Sequence, residues 1–176
     1  MHYCLIDTAI GTFGLGWTET GIVRVALPGD TAADAERRMQ KLGGIPDEPR
    51  RYIAGIEERI VAYADGEPDA FQDVPLELGN VPKFNRRCYD DIRALGWGET
   101  TTYGAIARRL GDVALSRAVG AAMGANPIPL IVPCHRVLAS DGRPGGFSAP
   151  GGVAAKLQML ALEHEKSPTG QFSFGF

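Results

Sequence analysis

Three prolines, Pro127, Pro129 and Pro133, bracket the longest mostly apolar run of this 176-residue chain, within Asn126-Pro127-Ile128-Pro129-Leu130-Ile131-Val132-Pro133-Cys134-His135-Arg136-Val137. The run falls far short of the roughly 18 residues needed to cross a bilayer, so no membrane span is expected. Its aliphatic residues predict a short buried strand. Pro133 has no N–H to give to a ladder, so pairing ends there, and the next residue, Cys134, can turn its sulfur toward a cavity. That position suits a nucleophile. A thiol attacks as thiolate, and its pKa falls beside histidine or a cation; His135 and Arg136 supply both. Neighbours on a strand point to opposite faces, so His135 helps Cys134 only where the backbone bends or a water bridges them.

Composition, at 44% hydrophobic and 22% charged residues, fits a globular protein of one or two domains. The net charge of −3 argues against bulk electrostatic coating of nucleic acid. The charge is unevenly spread. Residues 1–82 carry 7 basic and 14 acidic side chains, whereas residues 83–143 carry 9 and 5. A local basic surplus attracts phosphate even in an acidic chain, although a surplus this small also describes an ordinary solvated face. Three cysteines, with no charged-then-apolar leader at Met1, point to a reducing cytoplasm and not to a disulfide framework.

From Tyr3 to Pro28, short apolar runs punctuated by Gly11, Gly16 and Gly21 predict a small antiparallel sheet. Thr31 is the expected N-cap of a helix through Ala35 and Met39 that stops near Gly43-Gly44. Ile53, Ile56, Ile60 and Tyr63 form the buried stripe of a second helix. The Gly- and Pro-rich residues 65–82 are the expected linker. Beyond it, Phe84, Cys88, Ile92 and Leu95 recur at helical spacing; a short helix with Ile106 and Leu110 follows, capped by Thr100, Thr101 or Thr102 and stopped by Gly111. A further helix runs from about Ala114 to Ala125. The pair is a helix-turn-helix candidate. Its second helix is nearly without bulk, since Ala118, Gly120, Ala121, Ala122, Gly124 and Ala125 leave Arg117 as the one long cation. Such a slim helix either packs tightly on a neighbour or sits deep against a polymer backbone.

Cys88 and Cys4 read as core residues. His2 and Cys4, with no further partner nearby, fall short of any zinc spacing, so no metal or cofactor is expected. His164 reads as a surface residue.

The C-terminal half, about residues 83–165, resembles the O6-alkylguanine-DNA alkyltransferases, the methylated-DNA–protein-cysteine methyltransferases. The resemblance rests on Asn126-Pro127-Ile128-Pro129 before Pro133-Cys134-His135-Arg136-Val137, flanked by Thr102-Tyr103-Gly104, Ser116-Arg117-Ala118-Val119-Gly120 and Gly146-Phe147-Ser148. It implies an α/β (α+β) chain. Residues 1–78 would form a ribonuclease H-like domain with a small antiparallel sheet and helices, 79–82 the end of the linker, and 83–166 a mostly helical DNA-binding and catalytic domain with a short active-site strand. Residues 167–176 would form an aromatic tail, read as mobile. The resemblance further implies a cytoplasmic monomer without cofactor, bound to the minor groove of double-stranded DNA, that flips out O6-alkylguanine, or O4-alkylthymine, and takes the alkyl group irreversibly onto Cys134.

The same resemblance makes His135 a base acting through a water, Glu163 its orienting carboxylate and Tyr103 a donor to the leaving guanine. By the chemistry of such a triad, a buried carboxylate favours imidazolium and so thiolate. Asn126 would tie the recognition helix to the active-site strand. Arg117 would fill the space of the flipped base, while Ala118 and Ala121 lie against DNA and Arg136, Val137 and Ser148 join the DNA- and base-contacting set. The chain departs from the family pattern at Phe147, at an inserted Ala149-Pro150 and at Cys88-Tyr89. Rival readings are a non-catalytic alkyltransferase-like lesion binder, which would lack the acceptor cysteine; a helix-turn-helix transcription regulator, which would need longer base-reading side chains; and a cysteine hydrolase, for which no oxyanion-hole motif is visible.

Overall fold

Alternation along the first strands decides the two faces of the sheet. The computed structural model describes residues 1–29, 31–49 and 51–165, and the expected aromatic tail lies outside the described residues. Strands β1 (His2–Thr8), β2 (Gly11–Trp17) and β3 (Ile22–Ala26) form an antiparallel meander, with His2 opposite Trp17 and Thr8 opposite Gly11. Cys4 and Ile6 point to the main core, whereas Tyr3 and Leu5 point to the other face. There α1 (Ala32–Lys41) covers them with Met39. Thr31 caps α1 as expected: its side chain accepts from the Asp34 N–H while Asp34 reaches back to the Thr31 N–H, a reciprocal box worth about 1 kcal/mol. A two-residue strand, β4 (Ile45–Pro46), runs parallel to β1 and completes the order β3-β2-β1-β4.

Helix α2 (Arg51–Ala64) buries Ile53, Ile56, Ile60 and Tyr63 on the inner face of the sheet, the stripe expected from their spacing. Residues 65–82 hold no helix, but they are strapped down. Phe71 and Val74 are buried, the Ile22 N–H donates to the Pro75 carbonyl at 2.9 Å, and the Glu77 N–H donates to the Ile22 carbonyl at 2.9 Å. Arg93 donates to the carbonyls of Phe71, Gln72 and Val74. One apolar cluster therefore runs from Ile6 through Ile60 and Phe71 to Ile92 and Met159.

In the C-terminal half, α3 (Lys83–Arg93) buries Cys88, Tyr89 and Ile92. The Thr102 hydroxyl accepts from the Ala105 N–H and caps α4 (Tyr103–Arg109). Gly111, at φ +118°, ends that segment in a conformation only glycine adopts freely. Asp112 then accepts from the Ala114 N–H and winds a 3-10 turn, Val113–Leu115, so α5 (Ser116–Gly124) begins two residues later than its sequence suggests. Tyr89 donates its hydroxyl to the Ala122 carbonyl at 2.9 Å and pins α5 to α3. The short strand of this half, β6 (Val137–Leu138), follows Cys134 instead of preceding it, and pairs in parallel with β5 (Thr101–Thr102). Helix α6 (Gly152–Glu165) closes the fold. Among the described residues no helix is long and apolar enough to cross a membrane.

Candidate active site

The proline-bracketed run does not form the expected strand. Pro129 and Pro133 prevent a ladder, and Leu130 takes φ +76° while 2% exposed, a conformation that costs a branched residue on the order of 1–3 kcal/mol. The chain doubles back, with the Val132 N–H donating to the Ile128 carbonyl at 2.9 Å. Cys134–Arg136 then form a 3-10 turn. That bend removes the strand geometry that would have sent Cys134 and His135 to opposite faces.

Asn126 organises this turn. Its Oδ1 accepts from the Ile128 N–H at 3.0 Å, and its Nδ2 donates to the Val132 carbonyl at 2.8 Å and to Cys134 Sγ at 3.2 Å. His135 Nε2 lies 2.7 Å from Glu163 Oε1. The carboxylate cannot donate, so Nε2 carries the proton and Nδ1 is left as the basic nitrogen. Glu163 also accepts from Arg136 Nε and Nη2, both at 2.9 Å, from the Tyr63 hydroxyl at 3.0 Å and from the Gly98 N–H at 3.2 Å. Burial raises the Glu163 pKa, but His135 and Arg136 outweigh it and hold it at about 2.

Two expectations need correction. Arg136, assigned to the DNA-contacting set, is 1% exposed and is taken up by Glu163 and the Leu95 carbonyl; it holds the carboxylate in place and reaches no surface. Nor do the groups around Cys134 rest as an ion pair. Burial pushes the Cys134 thiol up and pushes His135 down, with Arg136 and Lys156 adding to the second shift. The charge of Glu163 is already shared with Arg136, so it does not stabilise an imidazolium strongly enough to offset desolvation. Both shifts favour the neutral thiol and the neutral imidazole over an ion pair.

Two further residues join the site without any sequence signal having marked them. Lys156, fully buried, donates to the carbonyls of Val137 at 2.5 Å and Pro144 at 2.6 Å. Burial lowers its pKa to about 8, opposed by Cys134, and its field is the cationic influence that lowers the thiol pKa. Seven positions before Glu163, it shares that residue's helix face, which is the sequence clue that could have found it. Tyr63 comes from α2, a hundred positions from its partner Glu163. No local pattern could have revealed that contact.

The sulfur lies at the floor of a cleft of about 830 Å³ whose walls include Tyr103, Arg117, Met123, Phe147 and Ser148. Burial raises the Tyr103 pKa, so its hydroxyl stays a donor. Gly145, at φ +65°, passes so close to Tyr103 that a Cβ there would lie 3.2 Å from the phenol oxygen. Ser148 is exposed and donates to the Gly124 carbonyl at 2.8 Å. On α5, Val119, Ala122 and Met123 are buried while Arg117, Ala118 and Ala121 are exposed. The cleft thus opens beside a thin helix face, with the guanidiniums of Arg108 and Arg117 lining it. Val137 is fully buried, does not line the cleft, and accepts from Lys156 through its carbonyl.

Fold and site together define a protein with a single cysteine set to accept a group at the base of a cleft, beside a nearly bulkless helix. Residues 83–165 match the family of the 6-O-methylguanine DNA methyltransferase DNA-binding domain. The methylated-DNA–protein-cysteine methyltransferase of Mycolicibacterium paratuberculosis is 34% identical over 168 residues, covering 96% of this chain and 95% of that protein. The mouse protein of the same name is 34% identical over 185 residues, covering 97% and 84%. The crystal structure of Mycobacterium tuberculosis OGT in complex with DNA superposes with a TM-score of 0.79 at 32% identity, covering 97% of each chain. The chain belongs to the methylated-DNA–protein-cysteine methyltransferase family.

Proposed function

We propose that this chain repairs DNA directly, taking the alkyl group of O6-alkylguanine, and of O4-alkylthymine, from double-stranded DNA onto Cys134 in a single irreversible turnover. The observation that carries the reading is the setting of Cys134: Asn126 donating to the sulfur, a neighbouring His135 whose Nε2 is tied to Glu163 and whose buried Nδ1 has no protein partner among the described residues, and a cleft of about 830 Å³ that Cys134 lines. Helices α4 and α5 act as a helix-turn-helix on the minor groove. Ala118 and Ala121 permit close approach, Arg117 enters the stack in place of the flipped nucleotide, and Ser148 holds the extruded base. Residues 83–166 act as the DNA-binding and catalytic unit and residues 1–78 as a supporting domain. The three free cysteines fit a cytoplasmic monomer.

Because burial favours the neutral pair, the thiol proton must leave as the alkyl carbon arrives. It passes through a bridging water to His135 Nδ1, while Glu163 accepts the Nε2 hydrogen bond that steadies the growing positive charge. Sulfur bonds to the alkyl carbon, the carbon–O6 bond breaks, and its electron pair departs with guanine O6. Tyr103 donates a hydrogen bond or proton to the base as that charge builds. A thioether offers no leaving group, so each molecule reacts once. Incubation with duplex DNA containing O6-methylguanine, followed by intact and peptide mass measurement, tests this. One methyl on the Cys134 peptide, absent in Cys134→Ala, is expected; repeated turnover or an unmodified Cys134 refutes it.

A further inference from the structure

Glu163 meets five donors with two oxygens. A carboxylate offers about four lone-pair directions, two on each oxygen, and the donors are unevenly shared. Oε2 accepts from Arg136 Nε and the Gly98 N–H. Oε1 accepts from three: His135 Nε2 at 2.7 Å, Arg136 Nη2 at 2.9 Å and the Tyr63 hydroxyl at 3.0 Å. Three donors on an oxygen with two lone pairs weaken one another. Arg136 is fixed by its second hold on Oε2 and by the Leu95 carbonyl. The competition therefore falls between the histidine beside the nucleophile and a phenol from the other half of the chain. That phenol has no room to swing away. Tyr63 is fully buried, with Trp97 edge-on at 5.3 Å between ring centroids and Phe71 tilted at 6.0 Å, and Ile60, a turn earlier in α2, is fully buried as well.

We propose that Tyr63 is a positioning residue: by sharing Oε1 it restrains the pull of Glu163 on His135, so that the N-terminal half of the chain helps keep Cys134 as an unreactive thiol. The inference rests on the alkyl-transfer reading above, in which His135 takes the thiol proton. His135 faces Glu163 and Lys156 from α6 and Arg136 from its own turn, while Cys134 faces Lys156 and the phenols of Tyr103 and Tyr89. Of the groups facing His135, Arg136 and Lys156 disfavour an imidazolium and Glu163 favours it. Whatever weakens the Glu163–His135 hydrogen bond thus keeps the imidazole neutral, and the thiol then has no cation at His135 to draw its proton off. Glu163 stays ionised without Tyr63, because Arg136 still holds it through two nitrogens. The effect of the hydroxyl therefore lands on His135. Tyr63 itself keeps its proton, since burial and the Glu163 charge raise its pKa.

Removing the hydroxyl leaves Oε1 with two donors for two lone pairs. The imidazole of Tyr63→Phe should then be more basic by about one pH unit, a roughly tenfold larger share of ion pair. The first measurement needs no lesion: the full chain is treated with iodoacetamide at pH 7, the sulfur displaces iodide, and the adduct is followed by peptide mass. Cys134 should label about tenfold faster in Tyr63→Phe. Cys88, which is buried, and Cys4, whose pKa burial pushes up to about 12, are internal references and should not change. The second measurement is the pH profile of single-turnover methyl transfer from duplex DNA containing O6-methylguanine. A protonated imidazole accepts no proton, so the acid limb should move up by about one pH unit. Ile60→Val weakens the packing of the same helix without touching the carboxylate and should leave both readouts unchanged. An unchanged or slower Cys134 label in Tyr63→Phe, an acid limb that stays in place, an equal rise at Cys88, or the same rise in Ile60→Val each overturns the proposal. If circular dichroism shows Tyr63→Phe unfolded, replacement of Tyr63 by 3-fluorotyrosine, a stronger donor of nearly the same shape, decides. Slower labelling of Cys134 then supports the proposal, and an unchanged or faster rate overturns it. Failure of the unmodified protein to take up methyl from DNA is a separate result, which overturns the alkyl-transfer reading and leaves the labelling comparison standing.

Discussion

Replacing Glu163 by glutamine removes one charge and almost no volume. In the native protein this carboxylate accepts five hydrogen bonds, from His135, Tyr63, Gly98 and twice from Arg136, while 1% exposed. The amide would leave the Arg136 guanidinium buried beside no counter-charge, a loss of about 3–5 kcal/mol for breaking such a pair. At about 2–4 °C per kcal/mol for a chain of this size, Glu163→Gln should melt roughly 6–20 °C lower at pH 7. A second signature separates the charge from its hydrogen bonds. The Glu163 pKa is held at about 2 against an ordinary 4.5, equivalent to about 3 kcal/mol. Because the folded value is the lower one, this stabilisation is complete above pH 4.5 and is lost as pH falls toward 2. Urea denaturation across that window should show the unmodified protein losing stability more steeply than Glu163→Gln. A loss under about 1 kcal/mol at pH 7, or equal acid slopes in the two proteins, would refute the reasoning.

Tyr63→Phe deletes a single hydroxyl donor to the same carboxylate and should cost about 1.5–3 kcal/mol in calorimetry, with DNA affinity unchanged. Asn126→Ala removes the amide that lowers the thiol pKa against burial; transfer at neutral pH should slow, and the rise of rate with pH should move to higher pH in single-turnover assays. Arg117→Ala should slow alkyl transfer from duplex DNA while leaving the reaction of Cys134 with free O6-methylguanine base unaffected, as measured by mass.

Local patterns were legible where the physics is local. The strands from Tyr3 onward, the Thr31 cap and the Ile53 to Tyr63 stripe follow from alternation, a reciprocal hydrogen bond and helical spacing. The slim face of α5 could likewise be read from Ala118, Ala121 and Gly124. Residues 128–133 could not, because branched aliphatic residues favour a strand and only the competing demands of three prolines and Asn126 turn the chain back at Leu130. The start of α5 was misplaced because Asp112 caps a tight turn that periodicity does not register. Arg136 was misassigned for a different reason. An arginine beside a nucleophile reads as a cation for substrate, and only the arrival of Glu163 from α6 and Tyr63 from α2 shows that it faces inward. Lys156 is similar: its burial depends on the Val137 and Pro144 carbonyls meeting over α6.

The preference for a neutral pair has a consequence for how long an unused molecule survives. A protein that can act only once is wasted by any stray electrophile or oxidant that reaches its sulfur first. Thiolates are the species such reagents attack, and Cys134 is held as thiol by its own burial. Its working form arises only when a bound lesion offers the carbon and a path for the proton together. The burial that raises the barrier to forming the thiolate thus also shields the unreacted protein from such reagents.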